Sequence, residues 1–310
     1  MSEFFTISVL VATVASGIRL ATPFLLAALG ETLGQRSGVL NLGVEGVMLL
    51  GAFGAYYTAL ETDNALAGIL VGIGIGVLMG ILYGVVTLAF KAEQGISGIG
   101  IFIFGLGFSD LLFQSQVGTP IPIEGLNHLD IPLLADIKWL GEMFFQQHAL
   151  VYVAFLLVPS MWYLINRTTF GLNVRAVGET PEAADSLGVS VERTRYAAII
   201  IGNALAGLAG AALALELGIF QQNLTNGHGF IAIALVYFGA WRPSRVMAGA
   251  LFFGMVSATV LQWKTLGIVQ GTTASVVAMS PAVLTIVVLV FVSRRIGQPS
   301  ALTRPFDRGG

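Results

Sequence analysis

Four polar residues interrupt otherwise apolar stretches of this chain, and they are the first candidates for chemistry. Asn41 and Glu45 lie within "RSGVLNLGVEGVMLLGAFGAYY", whereas Asn203 and Glu216 lie within a later apolar run. A carboxylate at membrane depth costs about 2.5–3.5 kcal/mol on insertion scales, so it is rarely retained without a role. Amides and carboxylates of this kind can hydrogen-bond the hydroxyl groups and base edges of a polar solute.

Two interpretations of Asn41 and Glu45 fit the sequence. In the first, two nearby glycines break a membrane helix, Asn41 caps the segment that follows, and Glu45 sits in its first turn, where the helix dipole favours a carboxylate. In the second, both residues line a path through the membrane and face Asn203 and Glu216. The two interpretations are compatible, because a broken helix near the membrane centre exposes backbone groups to a solute.

The composition places these residues in a membrane protein. The mean hydropathy is +0.84, and only 10% of the residues are charged, which no ordinary soluble domain matches. The absence of cysteine excludes a disulfide scaffold and a cysteine-based metal site. No basic segment followed by a small-residue cleavage site opens the chain, so we expect the first span to be retained.

Nine apolar runs have about the 20 residues that cross a bilayer, although the seventh is short. They predict an all-α, polytopic helical bundle with about nine spans (eight to ten), forming one transmembrane domain over residues 1–310. The runs cover residues 7–29, 43–60, 65–90, 96–115, 149–165, 196–217, 229–240, 245–262 and 279–293.

The basic residues predict the orientation of the bundle, because loops rich in Lys and Arg stay in the cytoplasm. If nine spans alternate strictly, the basic residues all lie on the cytoplasmic side, together with the tail 294–310. The acidic loop 116–148 and the N-terminus then lie outside. A re-entrant segment at 38–60 would break this parity. The basic residues are Arg36, Lys91, Arg167, Arg175, Arg193, Arg195, Arg242, Arg245, Arg294, Arg295, Arg304 and Arg308.

The usual signatures of enzymes are missing from the sequence, and we predict neither an enzyme nor a bound cofactor or metal. No Gly-Lys pair occurs, so the chain has no P-loop for ATP. His128, His148 and His228 are scattered and resemble loop or interfacial histidines. Ser97 in "GISG" matches a short pattern of intramembrane serine proteases, which require a histidine on a neighbouring helix at the same depth. Ser97 is expected at the inner end of its apolar run, whereas the three histidines are expected near the outer side.

The loop at 166–195, "NRTTFGLNVRAVGETPEAADSLGVSVERTR", is too polar to span and too long for a simple connection. We expect a short helix within it, with Thr180 as its cap, Pro181 in its first turn and Gly188 at its end. One interpretation is an interfacial helix without a partner. The other is a rigid cytoplasmic knob that docks into another protein and transmits force to the adjacent spans. The candidate docking residues are Gly178, Glu179, Pro181, Glu182, Ala183, Ala184 and Gly188.

Three motifs carry a resemblance to a known family. "GETPEAADSLG", followed by "NALAGLAGAALAL", resembles the coupling helix of ABC importer membrane subunits. "QRSGVLNLGVEGVM" resembles a pattern of the simple-sugar and nucleoside branch of these permeases, with Gln35 replacing an acidic residue. "AEQGISGIGIFIFGLG" is similar to the next conserved segment of that branch but lacks its Asn-Leu pair. The branch is related to the ribose and branched-chain amino-acid permeases, and the resemblance covers residues 15–295.

The resemblance implies an ATP-driven importer in a prokaryotic inner membrane. Its expected partners are a cytoplasmic ABC ATPase, a second related permease subunit, an extracytoplasmic substrate-binding protein and the lipid bilayer, with no nucleic acid. Neutral amides such as Asn41, Asn203 and Gln221–Asn223 favour nucleosides or simple sugars as substrates. The alternatives are a branched-chain amino-acid permease, or an ion-coupled transporter in which Glu45 and Glu216 carry protons.

Overall fold

The structure is a computed structural model that describes residues 7–132, 134–292 and 297–307. Within these ranges the chain is mainly α-helical, as predicted, with one short hairpin of strands β1 (His128–Asp130) and β2 (Gln146–His148). The helices are α1 (Ile7–Arg36), α2 (Val44–Thr62), α3 (Ala65–Gly84, continued as a π-helix over Val85–Ala89), α4 (Gln94–Gln116), α5 (Ala149–Arg167), α6 (Thr169–Glu179), α7 (Pro181–Ser186), α8 (Val191–Leu217), α9 (His228–Phe238), α10 (Pro243–Thr265), α11 (Gly271–Ala278) and α12 (Ser280–Val292).

Polar caps define where α3 and α4 begin. The Asn64 side chain accepts hydrogen bonds from the first N–H groups of α3. The Glu93 carboxylate accepts the N–H groups of Ile96 and Gly95 at the start of α4, and these bonds lower the pKa of Glu93. Gly218 ends α8 with φ of 63°, a left-handed conformation that glycine adopts readily.

The structure differs from the prediction of nine membrane-length spans. Among the described residues, six helices are long and apolar enough to cross a membrane, by length and composition. The run at 43–60 forms α2, which is enclosed by other helices and carries Glu45 in its first turn. The run at 229–240 forms α9, which has 11 residues, and the run at 279–293 forms α12, of which the described part has 13 residues. The six helices are Ile7–Arg36, Ala65–Ala89, Gln94–Gln116, Ala149–Arg167, Val191–Leu217 and Pro243–Thr265.

Helices α1 and α8 form the centre of the bundle. Helix α8 packs against α1, α2 and α3, while α1 also packs against α9 and α10. Small residues permit the close contacts: a Cβ at Gly76 of α3 would lie 2.2 Å from the Asn203 carbonyl oxygen of α8. Glycine at such contacts lets helix backbones approach closely, which is how membrane helices gain packing energy without a hydrophobic driving force.

The bundle has two distinct ends. At one, which we call the α7 end, the C-terminus of α1, the α6–α7 corner, the start of α8 and residues 297–307 meet. At the other, the hairpin end, α8 finishes beside the β1–β2 hairpin, in which His128 pairs with His148. The basic residues Arg294, Arg295 and Arg308 lie outside the described residues.

Candidate functional site

Glu45 joins two interrupted helical segments inside the bundle. After α8 the chain runs irregularly through residues 218–227 before α9 begins. Glu45 Oε1 accepts hydrogen bonds from the Thr225 hydroxyl and the Gly227 N–H, both at 2.6 Å. Its Oε2 accepts the N–H of Gly229, and the residue is only 1% exposed. Glu45 thus lies in the first turn of α2 and binds the first turn of α9.

This geometry explains how an acidic residue is tolerated within the bundle. The N-termini of α2 and α9 both point toward the carboxylate, and each carries partial positive charge. The approach requires Gly229, because a Cβ there would lie 2.6 Å from the Glu45 Cα. Both carboxylate oxygens already accept hydrogen bonds from the α9 segment. The contacts therefore agree with the predicted place of Glu45 in a first helical turn, while direct contact with a solute stays a prediction. The prediction that Asn41 caps this helix is wrong, because the N-cap of α2 is Gly43 and the Asn41 side chain bonds to the Gly43 N–H instead of the first turn.

Asn41 and Asn203 form a buried amide pair. Asn41 Nδ2 donates to Asn203 Oδ1 at 3.0 Å, and Asn41 Oδ1 accepts the Gly43 N–H at 2.8 Å. Asn203 Nδ2 donates to the Ile199 carbonyl oxygen one turn earlier in α8, at 2.9 Å. The predicted approach of these two asparagines is present, and it ties the broken segment before α2 to the middle of α8.

Glu216 lies in a separate cluster. The stretch of α8 between Asn203 and Glu216 is about 20 Å long at the helical rise. Glu216 pairs with Arg19 Nε at 3.2 Å, and its other oxygen contacts His148 of the hairpin. Arg19 also reaches Gln147, at 3.5 Å. This cluster connects α1, α8 and β2 at the hairpin end, away from Asn41 and Glu45.

Sequence reasoning missed a third polar cluster, at the C-terminal end of α1. Gln35 Nε2 donates to Glu31 Oε2 at 3.1 Å, and Trp241 Nε1 donates to Gln35 Oε1 at 2.9 Å. Arg36 donates to the Trp241 carbonyl oxygen at 3.4 Å. These contacts fasten the α9–α10 turn to α1. In the sequence, the four-residue spacing of Glu31 and Gln35, which is one helical turn, could have predicted the contact between them.

A cavity of about 510 Å³ borders the beginning of α9. Polar groups of Asn226, His228, Ser257 and Lys264 line it among apolar side chains of α1, α8, α9 and α10. The His228 ring stacks on Phe24 with centroids 4.5 Å apart and planes 7° apart. The cavity therefore offers an amide, a hydroxyl and a flat aromatic surface, a combination suited to a polar solute of modest size.

A second, more open cavity has a volume of about 710 Å³. Gln114, Gln221 and Gln222 line it, together with residues near the end of α4. Segment 218–227 contributes to both cavities, since Gln221 and Gln222 face one and Asn226 faces the other. The amides predicted to favour a neutral polar solute therefore lie around one irregular segment.

The predicted short helix is present as α7. It begins at Pro181, and Gly188 follows its end with φ of +86°. Thr180 occupies the N-cap position, but its side chain makes no capping hydrogen bond, contrary to the prediction. The backbone of Thr180 instead forms bonds to Ala176 and Ala184.

The candidate docking residues fall on two faces of α7 and its flanks. Gly178, Pro181 and Ala184 are buried; a Cβ at Gly178 would lie 2.0 Å from the Arg36 carbonyl oxygen. The remaining candidates are exposed. Leu187, which the sequence analysis did not single out, is 84% exposed, the most exposed large hydrophobic residue of the described chain. The exposed candidates are Glu179, Glu182, Ala183 and Gly188.

Ser97 does not belong to a nucleophilic site. Its hydroxyl donates to the Glu93 carbonyl oxygen at 2.6 Å at the start of α4, on the surface. His148 contacts Glu216 and His228 stacks on Phe24, so neither orients this serine. Within the described part of the chain, no group of three His, Cys, Asp or Glu residues could hold a metal ion.

The bundle, with its interrupted helices, has the fold of an ABC transporter membrane subunit. It superposes on the solved structure of a proposed metal-chelate type ABC transporter in an inward-facing conformation with a TM-score of 0.52. The match covers 90% of this chain and 85% of that one, at 16% identity.

The chain belongs to the family described as branched-chain amino acid transport system / permease component, whose profile matches residues 13–292. It is 37% identical to the proposed glucose ABC transporter permease protein TsgC13 of Haloferax volcanii, over 94% of this chain and 96% of the relative. It is 31% identical to the guanosine ABC transporter permease protein NupQ of Bacillus subtilis, over 93% of this chain and 94% of the relative. A second guanosine permease protein of that bacterium, NupP, is 26% identical over 78% of this chain and 71% of the relative.

The chain is therefore the permease subunit of an ABC importer and a multi-pass protein of the inner membrane, rather than an enzyme. ATP hydrolysis belongs to a separate subunit of such a transporter, and a substrate-binding protein completes it. These conclusions confirm the family predicted from the coupling-helix and "LNLGVEG" motifs.

Proposed function

We propose that this permease imports a neutral polar solute, either a nucleoside or a simple sugar. The supporting observation is the lining of the two cavities, in which Asn226, Gln221 and Gln222 supply amides. Among the described lining residues Lys264 carries the only formal charge, and none is a carboxylate. Amides satisfy hydroxyl groups and base edges, whereas a zwitterionic amino acid requires paired charges. The guanosine and glucose names of the relatives agree with this solute class.

The proposed path runs from the glutamine-lined cavity past segment 218–227 to the cavity beside His228. Asn41, Glu45 and Asn203 shape this path by fixing the start of α2, the middle of α8 and the start of α9. Glu216 lies nearer the hairpin end, where its contacts with Arg19 and His148 connect α1, α8 and β2.

We propose that α7 is the coupling helix and that the α7 end faces the cytoplasm. Its exposed surface, with Glu182, Ala183 and the apolar Leu187, suits insertion into a groove of the ATPase subunit. The hairpin end and the N-terminus then lie outside, where a substrate-binding protein docks. A second, related permease subunit completes the membrane part, as the two guanosine permeases of one bacterium suggest. The nine predicted crossings then correspond to the six long helices together with α2, the segment 218–238 and α12.

Reconstitution of the complete transporter in proteoliposomes tests this proposal. ATP-dependent uptake is measured with labelled guanosine, glucose and leucine, each with its cognate or candidate binding protein. We expect ATP-dependent uptake of a nucleoside or a sugar, and we expect the ATPase to co-purify with the permease. Leu187→Glu should abolish this co-purification, because it would bury an unpaired charge in the groove of the ATPase. Leu172→Glu, at an exposed position on α6, is the matched control.

Two results would contradict the proposal. Uptake of leucine without uptake of nucleosides or sugars would indicate a branched-chain amino-acid permease. Solute movement by this chain alone, without ATP, would indicate an ion-coupled transporter in which Glu45 and Glu216 carry protons.

A further inference from the structure

Residues 299–307, which we call the C-terminal strap, cross the α7 end of the bundle. Ala301 and Leu302 are 3% and 5% exposed, so this segment is packed against the bundle. The strap follows the last helix but forms no helix or strand itself. It is held instead by backbone and side-chain hydrogen bonds, by an ion pair between Asp307 and Lys91, and by the packing of Leu302 and Phe306.

The strap bonds to both sides of the junction between α1 and the α6–α7 corner. The Ala301 N–H donates to the Gly178 carbonyl oxygen at 2.9 Å, and the Thr303 N–H donates to the Gly38 carbonyl oxygen at 3.1 Å. The Ser300 hydroxyl donates to Glu179 Oε2 at 2.9 Å. One short segment therefore holds the residues just before α7 and the turn that precedes α2.

Arg195 fixes the other side of the strap to α8. The residue is 1% exposed, and its guanidinium donates to the Ser37 carbonyl oxygen at 3.1 Å and to the Arg304 carbonyl oxygen at 3.0 Å. These two bonds hold Nε and Nη1 of Arg195 in place, whereas the buried Nη2 has no hydrogen-bond partner among the described residues. Here the acceptors are carbonyl groups, so the bond to the strap depends on the path of its backbone.

Phe306 places the end of the strap against the inner face of α7. Its ring packs on a small apolar cluster formed by Val177, Ala184 and Val191. Ala184 belongs to α7 and Val191 to the first turn of α8, so the ring fills the space where the coupling helix rests on the bundle. Movement of α7 must displace this ring or carry it along.

We infer that the C-terminal strap is a positioning element that transmits movement of α7 to the turn 37–43. From that turn the connection continues through Asn41 and Glu45 to the start of α9, which borders the cavity assigned above to the solute. The inference rests on the proposed role of α7 as the coupling helix. Coupling of this kind requires a contiguous set of contacts between the two sites, and the strap supplies the contacts at its first step.

The test compares Phe306→Ala with Arg304→Ala in the complete transporter. Arg304 has an exposed side chain and contributes its carbonyl group, which alanine keeps. The measured quantity is solute imported per ATP hydrolysed, together with ATPase co-purification and the melting temperature. We expect Phe306→Ala to lower the ratio about threefold to tenfold with the ATPase still bound, and Arg304→Ala to leave it unchanged.

A rescue experiment separates transmission from general loss of packing. Glu179→Cys and Ser300→Cys are added to Phe306→Ala, which is possible because the chain has no cysteine. A short bis-thiol crosslinker then joins the strap to the corner before α7. We expect the ratio to rise after crosslinking relative to the same protein before it.

The inference is overturned if Phe306→Ala keeps the ratio of the unaltered protein, if it releases the ATPase, or if crosslinking gives no recovery. If the proposed function itself is wrong, the unaltered protein will show no ATP-driven uptake or no bound ATPase, so the two failures can be told apart.

Discussion

Glu45 shows how a single side chain can organise two interrupted helices. Its oxygens accept bonds from Thr225, Gly227 and Gly229, so its charge is balanced by donors of the α9 segment and by the dipoles of two helices. A buried carboxylate without such donors would destabilise the fold. The same contacts leave it little capacity to bind a solute directly.

Glu45→Gln should therefore destabilise the protein. The substituted amide directs an NH2 group at a backbone N–H, which leaves a buried donor unsatisfied at a cost of about 1–3 kcal/mol. We expect a lower melting temperature in detergent, whereas Glu61→Gln, at the exposed end of the same helix, should melt like the unaltered protein. An unchanged melting temperature with impaired uptake would instead support direct contact between Glu45 and the solute.

At the scale of single elements, α7 has one buried face and one exposed face. Ala183 is exposed, whereas its neighbour Ala184 is 3% exposed and packs among Val177 and Val191. Both were candidate docking residues from the sequence, and a motif cannot assign neighbouring alanines to faces before the helix is docked. Of these two alanines, Ala183 is the one whose exposure fits the proposed contact with the ATPase.

The pair Ala183→Trp and Ala184→Trp tests this assignment. Ala183→Trp should reduce ATPase co-purification and leave the melting temperature of the isolated permease unchanged. Ala184→Trp should lower that melting temperature, because overpacking a buried site typically costs about 1–3 kcal/mol. Equal effects of the two substitutions on folding would mean that α7 does not rest on the bundle as described.

Helix α3 offers a similar pair of matched sites. Gly76 faces α8 so closely that an added Cβ would lie 2.2 Å from the Asn203 carbonyl oxygen, whereas nothing lies within 4 Å of a Cβ at Gly74. Gly76→Ala should lower the melting temperature. Gly74→Ala should leave it unchanged or raise it, since alanine is favoured over glycine in a helix by about 1 kcal/mol. A loss of stability in both would indicate a partner surface at Gly74.

At the scale of the whole molecule, the two ends of the bundle must face opposite sides of the membrane. Arg304→Cys and Leu129→Cys place single thiols at exposed positions of the α7 end and the hairpin end. With a membrane-impermeant maleimide on intact cells, we expect labelling of the second protein only, and of the first after permeabilisation. The reverse pattern would invert the proposed orientation.

The sequence by itself determined the class of this protein. Hydropathy and the rarity of charge require a helical membrane bundle, since backbone groups in lipid must be satisfied within each segment. The "GETPEAADSLG" and "QRSGVLNLGVEGVM" motifs predicted the permease family, and the position of α7 follows from Pro181 and Gly188. These features are local, so residue types and spacing suffice to predict them.

The tertiary structure decided which distant residues meet. Asn41 and Asn203 bond across the bundle, Glu45 binds the start of α9, and Glu216 pairs with Arg19 and His148 instead of joining them. Hydropathy predicted nine similar spans, but it cannot distinguish a helix enclosed by others, such as α2, from one that faces lipid. Burial and pairing depend on contacts between segments far apart in the chain, and a single sequence carries no direct record of those contacts.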